Sequence, residues 1–180
     1  MRVALTGGVA EGKSTVLRIL QEMGRSTYSA DVAARQVFSD ELVNRRLSYI
    51  AGVSGGLEPK DLRDRMFADP SLRRKVNAVT HPLVMKLVLA SEAEFVEVPL
   101  LYEVCAQNCF DQVWVVTCGS EIQLERLVAR VGSVELAKSI IRTQLPTEVK
   151  LSFACRVIRT NCDPETVRRG ISEALRADSR

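Results

Sequence analysis

The chain has 180 residues, of which 46% are hydrophobic and 26% are charged. This balance excludes disordered and fibrous proteins and predicts one compact domain with a buried core and room for a small inserted subdomain. The net charge of +3 is too small to indicate a nucleic-acid partner, and no apolar run approaches the roughly 20 residues of a membrane helix.

The amino-terminal segment predicts a strand, a glycine loop and a helix in immediate succession. It lacks the basic start and long apolar stretch of a secretory leader, so we expect a cytoplasmic protein. Residues 2–5 are apolar and strand-like, and Gly7 and Gly8 follow them. Apolar residues then recur at helical spacing from Gly12 until Gly24 ends the helix.

The loop has the spacing of a phosphate-binding motif, with Gly7, four residues, then Gly12, Lys13 and Ser14. Glycines let successive backbone N–H groups point into one concavity, and the positive end of the following helix adds to the attraction for phosphate. Lys13 is expected between the β- and γ-phosphates of ATP, and the Ser14 hydroxyl is expected on Mg²⁺. A carboxylate would repel a triphosphate, so the Glu11 side chain should point away. The predicted nucleotide-binding residues here are Gly8, Ala10, Glu11, Gly12, Lys13, Ser14 and Thr15.

The middle of the chain is predicted to be helical. A short strand is expected near residues 26–28, and Asp31 begins a helical stretch that runs to about residue 91 without a convincing strand. Within it, Asp69 and Pro70 form a helix start, and Pro82 is expected to interrupt the helix. Glycines in the 52–56 segment suggest a loop hinge.

The second half predicts three further strands at 95–101, 112–117 and 156–160, with Pro99 and Gly119 marking the ends of strand character. A closing helix is expected to start at Asp163 and Pro164. Strands separated by helices imply parallel pairing with right-handed crossovers, and therefore an α/β fold whose sheet is covered on both faces.

The cysteines and the single histidine do not have the spacing of a zinc site. The five cysteines are expected to be reduced and mostly buried. Basic residues exceed acidic ones only late in the chain, which suits either an anionic ligand or a solvated helix face. The chain also lacks the Asn-Lys-x-Asp base-reading motif of hydrolase switches, so a small-molecule kinase is favoured.

At this point the residues resemble the dephospho-coenzyme A kinase family over nearly the whole chain. The resemblance rests on the order and spacing of several short blocks, none of them specific alone. These blocks are Leu5-Thr6-Gly7-Gly8-Val9, Gly12-Lys13-Ser14-Thr15, Ala30-Asp31-Val32-Ala33-Ala34-Arg35, Phe67 with Asp69-Pro70, His81-Pro82-Leu83, Val98-Pro99-Leu100-Leu101-Tyr102-Glu103, Gln123-Leu124-Glu125-Arg126-Leu127 with Arg130, Gln144-Leu145-Pro146, and Asn161.

The resemblance implies a three-layer P-loop kinase fold with a parallel sheet, a helical acceptor-binding insertion and lid helices. It implies a core of about 1–30, 92–118 and 155–180, an acceptor subdomain of about 31–91 and a lid of about 120–153. It further implies transfer of the γ-phosphoryl group of ATP to the ribose 3′-hydroxyl of dephospho-CoA with Mg²⁺, with neither a nucleic-acid nor a membrane partner. The oligomeric state is left open.

Residue roles follow from the same resemblance. Asp31 would accept the hydroxyl proton, although an aspartate there could also simply cap its helix. Arg126 and Arg130, four residues apart on one helix face, would neutralise phosphate charge, with surface ion pairing, for example of Arg126 with Glu125, as the alternative. Asn161 would help to bind the nucleotide. The implied substrate-binding residues are Thr6, Asp31, Arg63, His81 and Leu100, of which His81 and Leu100 are equally compatible with structural roles.

The chain departs from the family pattern mainly around the acceptor. Ser29 stands where the family commonly has the first aspartate of Asp-Ala-Asp, and Pro59 stands where an arginine is usual, so acceptor-phosphate binding is expected to pass to Lys60 or Arg63. These departures keep two alternatives open. One is a kinase for another nucleoside-like molecule, and the other is an ATP-binding regulatory protein whose catalysis has decayed.

Overall fold

The computed structural model describes residues 1–53 and 58–178, without the side chains of Pro59, Arg63, Phe67 and Asp178. Its strands are β1 (Val3–Thr6), β2 (Thr27–Ser29), β3 (Phe95–Glu97), β4 (Gln112–Thr117) and β5 (Arg156–Arg159). Its α-helices are α1 (Lys13–Glu22), α2 (Ala30–Ser39), α3 (Glu41–Ile50), α4 (Pro59–Ala68), α5 (Pro70–Ala90), α6 (Ser120–Val131), α7 (Val134–Arg142), α8 (Thr147–Leu151) and α9 (Pro164–Asp178). None of the helices among these residues combines the length and the apolar character needed to cross a bilayer.

The strands form one sheet in the order β2-β3-β1-β4-β5, which confirms the predicted α/β class. The pairs β1–β3, β1–β4 and β4–β5 are parallel, with Val3 opposite both Phe95 and Gln112. Because β1 lies in the middle, the loop that leaves its carboxyl end is flanked by the ends of β3 and β4. This position is the usual place for a ligand site in a parallel sheet.

One face of the sheet packs against α1 and α9. The contacts are made by strand residues such as Phe95 and Trp114 and by apolar helix residues such as Val16 and Ile171. The rings of Phe95 and Trp114 meet edge to face at 5.2 Å between centroids, an arrangement worth about 0.5–1.5 kcal/mol beyond area burial. The apolar residues whose helical spacing predicted α1 therefore form part of the core that supports the glycine loop.

The chain divides into two compact units, Met1–Tyr28 with Glu92–Arg180, and Ser29–Ser91. The first unit holds α1, α6–α9 and nearly the whole sheet. The second consists of α2–α5 packed around Leu47, Leu62 and Val76. Within its described residues, only Ser29, the last residue of β2, belongs to a strand.

Helix α5 corrects the expectation that Pro82 interrupts it, because it runs unbroken through Pro82 over 21 residues. A proline inside a helix removes its own N–H bond and crowds the carbonyl four residues earlier. Here the ring is exposed, while Val76 and Val88 on either side of it are buried. Packing on both sides therefore holds the helix together.

Two other local expectations also change. Strand β3 ends at Glu97, before the expected residue 101, because the chain turns at Pro99 and the residues that follow it. The five cysteines are unpaired as expected, but only Cys118 is buried, and Cys105, Cys109, Cys155 and Cys162 are exposed. Most of the hinge expected at 52–56 lies outside the described residues.

Candidate active site

The glycine loop joins β1 to α1, and its shape depends on contacts from distant parts of the chain. Gly12 has a positive φ of 89°, and a Cβ there would lie 2.8 Å from Oγ1 of Thr160. A Cβ on Gly8 would lie 2.4 Å from Nε2 of Gln123. Gly12 is therefore unfavourable for any larger residue, both for its φ and for the space that Thr160 occupies, whereas a Cβ on Gly8 would displace the side-chain amide of Gln123.

The loop leaves backbone N–H groups available to an anion. Gly12 is the N-cap of α1, no side chain caps this helix, and its first turn carries no acidic residue. In the described part of the chain, the N–H groups of Ala10, Gly12 and Ser14 have no protein acceptor. Unsatisfied donors at the positive end of a ten-residue helix form an anion-binding site.

Lys13 lies across this loop and is only 7% exposed. Its Nζ donates to the carbonyl oxygens of Gly7 at 3.1 Å and Gly8 at 2.8 Å. The ammonium group is thus held beside the free N–H groups. A triphosphate bound there would offer it stronger, charged acceptors.

Glu11 points into the protein, and its residue is 1% exposed. Its carboxylate accepts from the N–H of Gly8 at 2.9 Å, from Oγ1 of Thr147 at 3.0 Å and from Oγ1 of Thr117 at 3.4 Å. Burial raises the pKa of this carboxyl, while the hydrogen bonds and the nearby Lys13 oppose the rise. The backbone of Glu11 stays in the loop while its charge lies beneath it.

The hydroxyl of Ser14 is the group that the sequence predicts on Mg²⁺. Ser14 is exposed in the first turn of α1, and among residues 1–53 and 58–178 its side chain has no hydrogen-bond partner. The described residues contain no group of three or more His, Cys, Asp or Glu that could hold a metal ion by itself. A hydroxyl beside a phosphate site fits Mg²⁺, which usually combines few protein ligands with phosphate oxygens and waters. Thr15 follows, partly buried, with its N–H bonded to the Gly12 carbonyl at 3.0 Å.

Arg126 connects α6 to the end of β5. Its guanidinium donates to the carbonyl oxygen of Thr160 at 2.7 Å and to Oγ1 of Thr160 at 3.3 Å. The Thr160 hydroxyl in turn donates to the Glu11 carbonyl oxygen at 2.7 Å. One threonine therefore joins Arg126 to the phosphate loop, and the alternative pairing of Arg126 with Glu125 is not seen.

Arg130 and Asn161 are both exposed. Arg130 lies one turn beyond Arg126 on α6, and within the described residues its guanidinium has no partner. Asn161 directly follows Thr160. Both side chains are therefore available to a ligand, and their roles in nucleotide binding stay predictions.

The segment from Gln144 to Lys150 is attached to two neighbouring loops. Oε1 of Gln144 accepts from the N–H of Val9 at 2.9 Å. Lys150 is completely buried and reaches the carboxylate of Glu103 at 2.9 Å and the carbonyl oxygen of Pro99 at 3.1 Å. The predicted lid thus has a base fixed to the phosphate loop and to the 98–103 segment that the resemblance implies at the acceptor site.

Thr6 and Leu100 lie beside this network. Thr6 is fully buried, and its Oγ1 donates to the same Pro99 carbonyl at 3.3 Å. Leu100 is partly buried, whereas its neighbour Leu101 is a fully buried core residue. The structure thus gives Thr6 a structural hydrogen bond, and acceptor contacts by Thr6 and Leu100 stay predictions.

In the helical unit, Asp31 does not cap its helix. Ser29 is the N-cap of α2, and its side chain accepts from the Asp31 N–H at 3.2 Å. The Asp31 carboxylate is exposed, and in the part of the chain that the structure describes it has no hydrogen-bond or ion-pair partner. The serine that replaces the family's first aspartate therefore supplies the cap, and the alternative that Asp31 is the cap is wrong.

The other two predicted acceptor residues lie in the same unit. His81 is partly buried one residue before Pro82, and burial lowers the pKa of its imidazole. The Arg63 side chain lies outside the described residues. Their roles stay predictions.

Four residues that hold the loop were given no role by the sequence. They are Thr117, Gln123, Thr147 and Thr160, and each reaches the loop through a hydrogen bond or close contact from at least 100 residues away in sequence. Gln123 lies in a block that carried the family resemblance, and Thr160 directly precedes Asn161. For these two residues, the position in or beside a family-like block was a signal of importance. The sequence did not show that their side chains contact the phosphate loop.

Comparison with known proteins supports the resemblance. A family model described as dephospho-CoA kinase matches residues 1–165. Dephospho-CoA kinase of Geobacter sulfurreducens is 36% identical over 187 residues, covering 95% of this chain and 95% of the relative.

Solved structures agree in fold. A Thermus thermophilus protein, TT1252, superimposes with a TM-score of 0.83 at 29% identity, over 98% of this chain and 97% of the other. Dephospho-CoA kinase from Campylobacter jejuni has a TM-score of 0.65 at 23% identity, over 98% of this chain and 96% of the other.

Proposed function

The chain belongs to the dephospho-CoA kinase family, and we propose from this premise how its residues perform the family's reaction. The enzyme transfers the γ-phosphoryl group of ATP to the ribose 3′-hydroxyl of dephospho-CoA, giving coenzyme A and ADP. Its substrates are thus the small molecules ATP and dephospho-CoA. A cytoplasmic location and Mg²⁺ dependence stay predictions.

This proposal rests on the free N–H groups at the start of α1. Those of Ala10, Gly12 and Ser14 bind phosphate oxygens, while Lys13 moves from the loop carbonyls onto the β- and γ-phosphates. Ser14 would hold Mg²⁺, which would neutralise charge on the same phosphates. These groups orient the triphosphate and stabilise the charge that develops during transfer.

Asp31 is the proposed general base. It accepts the proton of the 3′-hydroxyl while the oxygen forms its bond to the γ-phosphorus, and the bond to the ADP oxygen breaks. Its exposed carboxylate without a partner supports this role, because an acid committed to a cap or an ion pair is less free to accept a proton. A regulatory nucleotide-binding protein needs no such base, so the same observation argues against that alternative.

Arg126 is proposed to neutralise negative charge on the transferring phosphoryl group. Its guanidinium is held at Thr160, whose hydroxyl is bonded to the phosphate loop, and this attachment supports the assignment.

The test is Asp31→Asn, with Asp40→Asn as the matched control. Asp40 is an exposed aspartate that caps α3, and asparagine caps nearly as well. We expect Asp31→Asn to bind ATP normally and to lose about 10²–10⁴-fold in dephospho-CoA-dependent ADP release, a typical general-base contribution. Asp40→Asn should match the wild type. Full turnover by Asp31→Asn would disprove the assignment of the base.

A further inference from the structure

Glu11 is a buried charged residue whose side chain the proposed mechanism does not use. A phosphate loop has no evident need for an acid, and a carboxylate next to a triphosphate is electrostatically unfavourable. Yet this one is 1% exposed and accepts three hydrogen bonds. A buried charge with several well-placed partners indicates a role that depends on those partners.

These partners lie in separate parts of the first unit. Gly8 belongs to the loop itself, Thr117 is the last residue of β4, and Thr147 is the first residue of α8. On the backbone of Glu11, the carbonyl oxygen accepts from Thr160, just beyond β5. One residue therefore joins the loop to the end of two strands and to the base of the predicted lid.

The lid base also meets the loop at a second point. The Val9 N–H donates to Oε1 of Gln144, three residues before Thr147. The 144–147 segment thus contacts the loop on both sides of Ala10, whose φ of 62° is unusual for a residue with a side chain. Contacts on both sides hold Ala10 in this strained conformation.

The contacts also determine which N–H groups remain for phosphate. Glu11 accepts from Gly8 and Gln144 accepts from Val9, so those two N–H groups are used within the protein. The N–H groups of Ala10, Gly12 and Ser14, which have no acceptor in the described part of the chain, remain for phosphate. The Glu11 carboxylate therefore shapes the anion site without touching the anion.

We propose that Glu11 is a positioning residue for nucleotide binding, whose side chain holds the phosphate loop in its binding conformation and couples it to Thr147 at the base of the lid. This inference rests on the proposed role of the loop in binding ATP. It predicts that loss of the Glu11–Thr147 contact impairs ATP use selectively, because the acceptor does not bind through these N–H groups.

The experiment measures KM for ATP, KM for dephospho-CoA and kcat in Glu11→Ala, Thr147→Val and the double variant. Hydrogen bonds to a charged group are among the stronger ones, so we expect Glu11→Ala to raise KM for ATP about tenfold or more, with KM for dephospho-CoA within about twofold. Thr147→Val should give a smaller rise. The double variant should be no worse than Glu11→Ala, because Glu11→Ala already removes the hydrogen bond that Thr147→Val removes.

Two further variants separate positioning from general folding effects. Thr143→Val is the matched control, since Thr143 is an exposed threonine directly before the 144–147 segment, and its hydroxyl donates to the Ile140 carbonyl and not to the loop. It should match the wild type. Glu11→Gln should largely restore KM for ATP, because its amide oxygen can accept from both Gly8 and Thr147, as one carboxylate oxygen of Glu11 does, and its amide nitrogen can donate to Oγ1 of Thr117.

The inference is overturned if Glu11→Ala leaves KM for ATP unchanged, raises both KM values equally, or adds fully to Thr147→Val. It is also overturned if Glu11→Gln raises KM for ATP as much as Glu11→Ala does. If Glu11→Ala does not fold, a folded Glu11→Gln variant with a tenfold higher KM for ATP overturns it. Failure of the loop assignment itself is a different result. In that case Lys13→Ala would leave KM for ATP unchanged.

Discussion

Gly12 is the residue at which the phosphate loop meets the end of β5. Its φ of 89° lies in the left-handed region, and the Thr160 side chain fills the space where a Cβ would stand. Any larger residue here therefore lowers the free energy of unfolding for two separate reasons. One is backbone strain of about 1–2 kcal/mol, and the other is overpacking of about 1–3 kcal/mol.

Gly12→Ala should therefore lower the free energy of unfolding by about 2–5 kcal/mol. Gly24→Ala is the matched control, because Gly24 also has a positive φ, of 77°, but nothing lies within 4 Å of its Cβ position. This control variant should lose only the stability that backbone strain costs, about 1–2 kcal/mol. Urea denaturation of both variants measures the difference, and equal losses would show that Thr160 does not restrict this position.

Residues of the site differ in how far the sequence could place them. The spacing of Gly12, Lys13 and Ser14 predicted the loop because that motif is local. Repulsion between a carboxylate and a triphosphate predicted that the Glu11 side chain points away from phosphate. The sequence did not show which residues the carboxylate contacts, because Thr147 lies 136 residues further along the chain. The same holds for Thr160, 149 residues from Glu11.

At the scale of elements, α5 is the helix in which local propensity and tertiary packing disagree. Pro82 costs the helix interior one hydrogen bond, and the ring is exposed to solvent. Replacing it should restore an N–H donor without opening a cavity in the core.

We expect Pro82→Ala to raise the free energy of unfolding by about 1–3 kcal/mol, the range for relieving an interior proline. Pro70→Ala serves as the control, because Pro70 is an exposed proline at the start of the same helix, where a proline is favourable. It should leave stability unchanged or slightly lower. Chemical denaturation followed by circular dichroism measures both, and a loss of stability in Pro82→Ala would contradict the argument.

At the scale of the whole molecule, ligand binding should stabilise the fold through the loop. A ligand that binds only the native state at 100 times its Kd adds about 2.7 kcal/mol, or roughly 5–10 °C in Tm for a protein of this size. ATP with Mg²⁺ should give a shift of this order.

Lys13→Ala should lose most of that shift, because the variant lacks the buried ammonium beside the free N–H groups. Arg130→Ala removes an exposed cation on α6 with no partner among the described residues and should not change the Tm without ligand. Thermal unfolding with and without ATP tests both expectations. An equal ATP shift in the wild type and in Lys13→Ala would remove Lys13 from the binding site.

The sequence by itself determined the α/β class and the parallel sheet, because hydrophobic period, glycine spacing and helix starts are local and are read within a few residues. It determined the family through the order and spacing of several short blocks along the chain. Only the tertiary structure decided that Ser29 rather than Asp31 caps α2, that α5 passes through Pro82, and that Glu11 lies beneath the loop against Thr117 and Thr147. Each of these depends on which groups compete for one donor or one space after folding. For Glu11 the partners lie more than 100 residues away in the chain, so local patterns do not contain the outcome. Ser29 and Asp31 are near neighbours, but serine and aspartate are about equally favoured as caps, so the pattern alone does not decide between them.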